Sequence, residues 1–335
     1  MTLRVGVIGT GVIGQDHIRR LTQVVSGAEV VAVTDANELV AEEVASRLPD
    51  ATLHSSGEDM IADKSVDAVI VCSWGQTHKA YVLAAIAAEK PVFCEKPLAT
   101  TQEDCRSIID AEAGHGRRLV QVGFMRRYDE SYRALKDVID SGRIGSPLIY
   151  FSSHRNASVP PYYTKDMPIV ETAVHDFDVT RWLLGEELAA IRVIAAKPNS
   201  LGGDVRDPLL MILESESGVL VNVETSVNIR YGYDVRGEVI GETGTAALAD
   251  RGLVVVRSSN QVGVSVPKDW GQRFMGAYDL EFQEWIDALA AGEGATGPSA
   301  WDGFAAQAVC DAGVKALYSG ERIEIDLGEK PSLYS

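Results

Sequence analysis

Short apolar runs alternate with stretches of helical spacing over the first third of the chain. Strands are predicted at residues 3–8, 29–34, 68–72, 91–94 and 118–123, with a short extended segment near His54. Helices are predicted between them, after the first strand as far as residue 21 and at residues 38–48, 58–62, 77–89 and 101–113. Strands and helices that alternate in this way form a doubly wound parallel sheet, so we predict an N-terminal α/β domain over residues 1–122.

The pattern changes after residue 122 to valine-rich runs in which polar and apolar positions alternate. Strands are predicted at residues 147–153, 189–196, 207–215, 219–227, 233–241 and 252–256. Helices are predicted at residues 130–141, 168–185, 276–291 and 300–317. We therefore predict a C-terminal α/β domain over residues 123–335 with a large, mostly antiparallel open sheet. The uncovered face of such a sheet would suit contacts between subunits.

The helix predicted at residues 168–185 carries a polar stripe. Glu171, His175 and Asp178 follow one another at i, i+4 and i+7, within about 60° of one another around an α-helix. Most other positions are apolar, Pro168 suits the first turn, and Gly185 suits the C-cap. The stripe either faces water, as charged faces usually do, or belongs to a functional site.

Composition and charge exclude several classes of function. The chain has 335 residues, with Lys+Arg 31 and Asp+Glu 48, and its formal net charge of −17 argues against a nucleic-acid or membrane partner. The four cysteines have no metal-binding spacing, which predicts no metal site and free thiols in a reducing compartment. The longest apolar run, residues 81–88, is far shorter than the roughly 20 residues that span a bilayer. A cytoplasmic location is expected.

The first predicted strand leads directly into a glycine-rich turn. The sequence Gly9-Thr10-Gly11-Val12-Ile13-Gly14 has the G-x-G-x-x-G pattern that is typical of dinucleotide-binding Rossmann domains. Gly9 permits the tight turn, Gly11 lets the backbone approach a pyrophosphate, and Gly14 lets helix and strand pack closely. All six residues are predicted to bind the cofactor.

Asp35 ends the second predicted strand and lies 21 residues after Gly14. A carboxylate in this place accepts both hydroxyls of an adenosine ribose and repels a 2′-phosphate. The next residues, Ala36 and Asn37, offer no arginine to bind that phosphate. We therefore predict NAD rather than NADP. The alternative is that Asp35 caps the helix that follows.

Two more loops lie at the carboxyl ends of predicted strands, where parallel sheets bind their ligands. Ser73, Trp74 and His78 lie in one loop, and Glu95 and Lys96 lie in the other. All five are predicted to bind the cofactor. Lys96 is well placed to reach the nicotinamide end, although a lysine in a loop is usually only a solvated charge.

An NAD-binding domain beside a second domain that carries His175 predicts alcohol oxidation by hydride transfer. The imidazole, with a reference pKa of about 6.5, would accept the hydroxyl proton. Glu171 would orient the ring or bind a neighbouring hydroxyl, and Lys96 would hold the reacting oxygen. Without a metal-binding pattern, the oxidation would proceed without a zinc Lewis acid. A histidine of this kind is in general more often a satisfied core residue, and no role is assigned to His17, His54 or His115.

Several motifs resemble a known family. Residues 5–11, the sequence Glu95-Lys96-Pro97 and the carboxylate-x-x-x-His pair of Glu171 and His175 look like the glucose-fructose oxidoreductase/inositol dehydrogenase family. The likeness runs essentially end to end and includes residues 73–75, 123–129, 154–156, 231–234, 277–279 and 297–303. The resemblance implies NAD-dependent oxidation of myo-inositol to 2-keto-myo-inositol (scyllo-inosose). It also implies a homotetramer assembled through the C-terminal sheets.

The resemblance further implies roles for individual residues. Lys96 and His175 would be the catalytic pair, beside Glu171. The polyol site would be lined or supported by Lys96, Met125, Arg126, His154, Asn156, Glu171, Thr172, His175, Asp178, Tyr233 and Tyr278.

Glu171 departs from the family pattern, which usually has aspartate at this position. The extra methylene displaces the carboxylate by roughly 1 Å, enough to change a tight site. Another inositol isomer or a pyranose sugar is therefore an alternative substrate. A non-catalytic NAD-dependent sensor is the alternative from another class of protein, but it predicts loss of the Lys/His pair, which this sequence keeps.

Overall fold

The computed structural model of the protein describes residues 2–197, 200, 205–249 and 254–335. Its contacts divide the chain into two compact units. The first unit comprises Met1–Phe124, Tyr278–Gln307 and Leu327–Ser335, and the second comprises Met125–Ala277 and Ala308–Asp326. The predicted division into residues 1–122 and 123–335 has a single boundary. In the structure the chain leaves the first unit after Phe124 and returns to it twice, at Tyr278 and at Leu327.

The first unit contains a six-stranded parallel sheet. Its strands are β1 (Leu3–Ile8), β2 (Ala28–Thr34), β3 (Thr52–Leu53), β4 (Ala68–Val71), β5 (Val92–Glu95) and β6 (Val120–Gly123). The intervening helices are α1 (Val12–Gln23), α2 (Glu38–Ala45), α3 (Gly57–Ala62), α4 (Gly75–Ala87) and α5 (Gln102–His115). The strand order β3-β2-β1-β4-β5-β6, with every pair parallel, confirms the predicted doubly wound sheet.

The second unit contains a seven-stranded, mostly antiparallel sheet. The remaining strands are β7 (Pro147–Arg155), β8 (Leu188–Ala195), β9 (Leu209–Ser215), β10 (Leu220–Ser226), β11 (Asp234–Gly241), β12 (Thr245–Ala247), β13 (Val255–Ser258), β14 (Gln261–Val264) and β15 (Ile323–Glu324). Their order in the sheet is β12-β11-β7-β10-β9-β8-β15, and β13 pairs with β14 separately. Among the described strands of this sheet, β7 and β10 form the one parallel pair. The open-sheet prediction is therefore confirmed.

The remaining helices include one irregular segment. They are α6 (Glu130–Asp140), a π-helix (Pro168–Ala173), α7 (Val174–Leu184), α8 (Trp270–Ala291) and α9 (Ala300–Ser319), with short 3₁₀ turns at Met125–Tyr128 and Ser332–Tyr334. Two of the four boundaries between the units fall inside helices, one in α8 and one in α9. Among the described residues, we find no helix that is both long enough and apolar enough to cross a bilayer.

The core of the first unit explains why the chain returns to it. Val7 and Phe93 of the sheet lie in one buried cluster with Trp285 of α8. Phe282 and Ile286 belong to the same cluster. Because burial of large apolar side chains is the main favourable term in folding, this part of α8 belongs with the parallel sheet. The sequence pattern shows an amphipathic helix there but not the surface on which it packs.

The second sheet has one buried and one exposed face. Along β7, Tyr150, Ser152 and His154 are buried, whereas Phe151 between them is exposed. Leu220 of β10 and Ile212 of β9 are likewise exposed. Their strand partners place them on the same face as Phe151.

Three predicted segments differ from the structure. The helix predicted at residues 168–185 begins with six residues of π-helix, and α8 begins at Trp270 rather than at residue 276. In the strand predicted at residues 252–256, residues 252 and 253 lie outside the described residues, and β13 begins at Val255. The short strands β12, β14 and β15 were not predicted.

Candidate active site

Two glycines of the turn between β1 and α1 are required by the fold itself. Gly9 has a φ of +94°, and a Cβ on it would lie 2.6 Å from main-chain atoms of Cys72 and Ser73. A Cβ on Gly14 would lie 1.9 Å from the carbonyl oxygen of Gly9. A larger residue at either position would therefore displace the backbone.

Gly11 is a glycine for a different reason. A Cβ on Gly11 would meet no atom of the described residues within 4 Å. Gly11 is also the N-cap of α1, whose first turn carries no acidic side chain. The N–H groups and the positive end of a helix dipole are a preferred place for a pyrophosphate. These residues therefore fit a dinucleotide. The other residues of the turn are buried Thr10, exposed Val12 and half-buried Ile13.

Asp35 is held against the glycine-rich turn. Its Oδ2 accepts hydrogen bonds from the Thr10 main-chain N–H at 2.6 Å and the Thr10 hydroxyl at 3.2 Å. Its Oδ1 accepts the Asn37 main-chain N–H at 2.8 Å. The N-cap of α2 is Asn37, so the alternative in which Asp35 caps that helix is wrong. The carboxylate lies beside the turn, where the ribose role requires it.

His78 connects the two other predicted cofactor loops. Its Nδ1 lies 2.6 Å from the carbonyl oxygen of Pro97, and its Nε2 lies 2.9 Å from that of Ser73. Burial lowers the pKa of His78, although both carbonyl contacts oppose this. His78 is buried and holds the loops after β4 and β5 together. Trp74 in the same region is exposed, and the Ser73 hydroxyl contacts Thr77 at 2.7 Å.

Glu95 and Lys96 follow one another at the end of β5, but their side chains lie in different surroundings. Lys96 is half-buried, whereas Glu95 is buried. Oε1 of Glu95 accepts a hydrogen bond from His17 Nε2 at 2.8 Å, and Oε2 accepts the Lys96 main-chain N–H at 3.2 Å. No role was assigned to His17 from the sequence, because this partner comes from a distant part of the chain.

Tyr278 belongs to the first unit. Its ring lies 5.9 Å from that of His17, and the Arg20 guanidinium stacks over it at 5.1 Å. The resemblance assigned Tyr278 to the polyol site together with residues that the structure places in the second unit.

The predicted catalytic helix of the second unit begins with a π-helical turn. Glu171 lies in the π-helix Pro168–Ala173, and His175 lies in the first turn of α7. Because a π-helix is wider than an α-helix, the offset that was calculated for Glu171 from α-helical geometry does not apply. Pro168 at the start and Gly185 in the left-handed conformation at the C-cap agree with the sequence. Such π-helical segments are frequent at functional sites.

His175 and Asp178 do not face water. His175 is 9% exposed and Asp178 is fully buried. Asp178 accepts a hydrogen bond from Arg127 Nε at 3.0 Å and a second, shorter contact from Arg127 NH2. The solvated-stripe alternative is therefore wrong for both residues, and Asp178 can support the site but not line it.

A buried polar cluster lies next to His175 in the sequence. Asp176 accepts hydrogen bonds from Arg126 and from the Ser152 hydroxyl, each at 2.7 Å. His154 Nδ1 lies 2.9 Å from Asp176 Oδ2, and His154 Nε2 lies 3.0 Å from the Tyr233 hydroxyl. The ring of His154 is 6.5 Å from that of His175. Arg126, His154 and Tyr233 therefore form one connected polar group with Asp176, and the His154 ring of this group lies near His175.

Electrostatics within this cluster favour an ionised Asp176 and a neutral His154. Burial would raise the pKa of Asp176, but the Arg126 charge and the bonds from His154 and Ser152 outweigh it, so this pKa lies below its usual value. Burial and the nearby Arg126 charge together lower the pKa of His154. The cluster thus contains one cation, one anion and two neutral polar rings.

The remaining predicted substrate residues are mostly held by their neighbours. Thr172 is buried, and its hydroxyl contacts that of Tyr163 at 2.6 Å. Met125 is buried in the 3₁₀ turn. Asn156 is half-buried, and its main-chain N–H donates to the Ser226 carbonyl at 2.7 Å, which joins the end of β7 to β10.

The sequence analysis missed four residues around these sites. No role was assigned from the sequence to any of them, and they are Arg20, His17, Asp176 and Tyr163. One signal was available for Asp176, since a carboxylate between His175 and Phe177 in a largely apolar helix needs a buried partner. The other three show nothing in their local sequence, because their partners lie elsewhere in the chain.

A glycine-rich turn on a parallel sheet, together with an open-sheet unit that carries a buried histidine, defines a nucleotide-dependent oxidoreductase of two parts. Residues 3–124 match the family described as "Oxidoreductase family, NAD-binding Rossmann fold". Residues 136–325 match "Oxidoreductase family, C-terminal alpha/beta domain". The chain belongs to this family, known as GFO/IDH/MocA, which confirms the resemblance and the NAD-binding character of the first unit.

Individual relatives agree with this assignment. The chain is 51% identical over its full length to inositol 2-dehydrogenase 3 of Saccharopolyspora erythraea, of which it covers 98%. It is 50% identical to inositol 2-dehydrogenase of Burkholderia cenocepacia, with 100% of this chain and 99% of that protein covered. The crystal structure of myo-inositol dehydrogenase from Lactobacillus casei in complex with NAD(H) and myo-inositol superposes with a TM-score of 0.97, at 40% identity and with 100% of both chains covered.

Proposed function

We propose that the protein oxidises myo-inositol to 2-keto-myo-inositol (scyllo-inosose) with NAD. The observation that carries this proposal is the full-length similarity to inositol 2-dehydrogenases, at 51% identity for the Saccharopolyspora protein. This chain has Lys96, Glu171 and His175 at the positions that the sequence motifs assign to catalysis. Retention of the Lys/His pair also weighs against a non-catalytic sensor.

In this proposal the first unit binds the cofactor. Bound NAD would supply the hydride acceptor. Gly11 and the N-terminus of α1 would hold the pyrophosphate, and Asp35 would accept the hydroxyls of the adenosine ribose. Exposed Trp74 would contact the cofactor directly, whereas buried His78 would act by holding the loops that surround it.

The second unit would supply the proton acceptor. His175 would take the proton of the reacting hydroxyl as hydride leaves the carbinol carbon, so that both hydrogens of the CH–OH group are accounted for. The Lys96 ammonium would hold the oxygen as negative charge develops on it. Glu171 would orient the imidazole or bind a neighbouring hydroxyl of the polyol.

The decisive experiment is a rate measurement across a panel of inositols and pyranose sugars. NADH production from myo-inositol is expected at alkaline pH, and kcat should fall about 100- to 10,000-fold in His175→Ala and Lys96→Met. His115→Ala is the matched control, since His115 lies in the last turn of α5 and belongs to no proposed site. Absence of NADH with every inositol would refute the proposal, and normal turnover by His175→Ala would refute the base assignment.

The cofactor assignment is tested by three substitutions that act differently. Asp35→Ser should weaken NAD binding and raise the affinity for NADP relative to NAD, because the repelling carboxylate is lost. Gly11→Ala should raise the Kd of NAD without lowering Tm, whereas Gly14→Ala should lower Tm because its Cβ meets the Gly9 carbonyl oxygen at 1.9 Å. Equal effects of the two glycine substitutions on Tm would contradict the distinction between them.

Another inositol isomer or a pyranose sugar is the second candidate substrate, and Glu171 is the observation that favours it. Glu171 lies in the π-helix rather than in α7, so its carboxylate has a different backbone setting from that of a regular helix. A higher kcat/KM for a sugar than for every inositol would select this alternative. Glu171→Asp should then shift the preference toward myo-inositol.

We also propose a cytoplasmic homotetramer that assembles through the open face of the second sheet. Exposed Phe151, Ile212 and Leu220 on one face support this, because apolar patches of this kind mark contact surfaces. In this arrangement residues 1–122 bind NAD, and residues 123–335 provide most of the substrate and assembly surfaces. Light scattering should give a tetrameric mass, and Ile212→Glu should reduce it; a monomeric wild type would contradict the proposal.

A further inference from the structure

A continuous series of buried polar contacts leads from the surface of the first unit to the main chain of Lys96. Arg20 donates to Asp279 through Nε and to Asp16 through NH2, each at 2.7 Å. It also donates to His17 Nδ1 through NH1 at 2.7 Å. From His17 the series continues to Glu95 at 2.8 Å and then to the Lys96 main-chain N–H at 3.2 Å.

The contacts determine which nitrogen of His17 carries the proton. A guanidinium can only donate hydrogen bonds, so His17 Nδ1 must present its lone pair to Arg20. The single N–H of the neutral ring is therefore on Nε2, where it donates to Glu95. Burial lowers the pKa of His17, although Glu95 opposes this, which agrees with a neutral ring. Burial would raise the pKa of Glu95, but the His17 bond and the Lys96 charge outweigh it, so Glu95 is ionised.

The series lies in apolar surroundings that exclude water. The His17 ring packs against Phe282 at 4.4 Å and Phe93 at 6.0 Å. His17 and Arg20 are fully buried. Gly123 leaves room for the Glu95 carboxylate, since a Cβ there would lie 3.2 Å from its carbon and both oxygens. Hydrogen bonds in such surroundings are stronger and more rigid than they are in water.

We propose that His17 and Glu95 are positioning residues that fix the main chain at Lys96, and that Arg20 selects the His17 tautomer this requires. The proposal rests on the proposed function, because it takes Lys96 as the residue that holds the reacting oxygen. In this scheme His17 and Glu95 touch neither substrate nor cofactor, so buried Glu95 does not take the cofactor-binding role that was predicted for it from the sequence. They act by keeping the Lys96 backbone in one place, and displacements of about 1 Å can cost 100-fold in rate.

One consequence is that glutamine cannot replace Glu95. Its amide presents one acceptor oxygen and one NH2 donor. In either orientation the NH2 group faces a donor, which is either Nε2–H of His17 or the main-chain N–H of Lys96. Reversal of the His17 tautomer does not relieve this conflict, because an Nδ1–H would then face the Arg20 guanidinium. At position 17, in contrast, a glutamine offers one acceptor toward Arg20 and one N–H toward Glu95.

The tautomer is tested directly by ¹⁵N NMR of the wild-type protein labelled in its histidines. His17, assigned by loss of its signals in His17→Gln, is expected as a neutral ring protonated on Nε2 at neutral pH. A ring protonated on Nδ1, or on both nitrogens, would overturn the proposal. This measurement requires no turnover, so it stands apart from any failure of the inositol dehydrogenase assignment.

The positioning role is tested by kinetics. His17→Leu and Glu95→Gln should lower kcat about 10- to 100-fold with KM changed much less, and His17→Gln should recover most of the loss. Glu112→Gln is the matched control, because Glu112 is a buried carboxylate of the same unit that accepts the Leu119 and Val120 main-chain N–H groups, each at 2.6 Å, away from Lys96. It should lower Tm but not kcat.

Two results would contradict the positioning role. One is an unchanged kcat in a folded His17→Leu or Glu95→Gln protein. The other is a kcat for His17→Gln as low as that for His17→Leu, because this would show that the N–H donor is irrelevant. If His17→Leu does not fold, the kcat of Glu95→Gln and the NMR measurement of the His17 tautomer test the proposal instead. A wild type with no polyol turnover would refute the proposed function alone.

Discussion

The two units both hold a buried arginine and histidine beside a predicted catalytic residue, but they balance charge differently. In the second unit, Arg126 and Asp176 are 1% and 0% exposed, so one cation and one anion are buried together away from solvent. In the first unit, the side chains of Asp16 and Asp279 are 27% and 28% exposed. There, one arginine is balanced by carboxylates that remain in contact with water.

The two arrangements should differ in how much stability is lost when a charged residue is replaced. When one member of a fully buried ion pair is removed, no water is present to solvate the charge that remains. Such a buried, unpaired charge is strongly destabilising. Half-exposed carboxylates can be hydrated again at little cost. Loss of a charge should therefore cost more in the second unit than in the first.

Asp176→Asn should destabilise the protein most. It removes the negative charge that balances Arg126 and leaves a buried guanidinium without its counter-ion, at a cost of about 3–5 kcal/mol. The free energy of unfolding, followed by circular dichroism in urea, measures this. Asp140→Asn is the control, because the Asp140 side chain is 55% exposed in its pair with Lys136 and solvent screens its charge. Adding Arg126→Met to Asp176→Asn should restore part of the lost free energy of unfolding. A further decrease would contradict the interpretation that the cost comes from a buried, unpaired guanidinium.

The pH dependence of stability should also show that ionised Asp176 stabilises the folded protein. The pKa of Asp176 in the folded protein lies below the usual 3.8, so its contribution to stability is complete above that pH and is lost as the pH falls below it toward the folded pKa. The stability difference between wild type and Asp176→Asn should therefore be constant near neutral pH and shrink in acid. Urea unfolding at a series of pH values tests this, and a difference that grows in acid would have the wrong sign.

Arg20→Met should cost less, about 1–3 kcal/mol. Asp16 and Asp279 can turn toward water, so the main loss is the unsatisfied Nδ1 of buried His17. Unfolding in urea beside Asp176→Asn gives the comparison directly. A larger loss for Arg20→Met than for Asp176→Asn would reverse the order that solvent exposure predicts.

Asp16→Asn should have the smallest effect, at most about 1 kcal/mol. Arg20 keeps Asp279 as an ionic partner, and Asp16 is exposed enough that its pair is partly screened by solvent. Thermal unfolding should show a small change in Tm with kcat unaltered. A loss of stability comparable to that of Arg20→Met would show that half-exposed Asp16 contributes as much as buried Arg20, which would contradict the comparison.

Local patterns were sufficient for most of the fold. The strand Leu3–Ile8 was predicted with its observed bounds, since its apolar run is bounded by a glycine turn. The G-x-G-x-x-G turn and Asp35 lie at fixed spacings within one strand-helix-strand segment, so their positions could be inferred from sequence alone. The return of α8 to the parallel sheet could not be predicted, because it depends on contacts such as that of Trp285 with Phe93, which lies 192 residues earlier.

The candidate site divides in the same way. The sequence indicated Lys96, Glu171 and His175 through their motifs. It did not indicate that Glu171 lies in a π-helix or which residues contact His17.

By itself, the sequence determined the alternation of helices and strands, the dinucleotide turn and the family, because these are encoded in short-range spacing. The tertiary structure decided which charges are buried and with whom they pair. Arg20 and Asp279 are separated by 259 residues, and Arg126 and Asp176 by 50. Pairing over such distances depends on how the sheets and helices pack, since only packing removes the water that would otherwise keep each charge solvated.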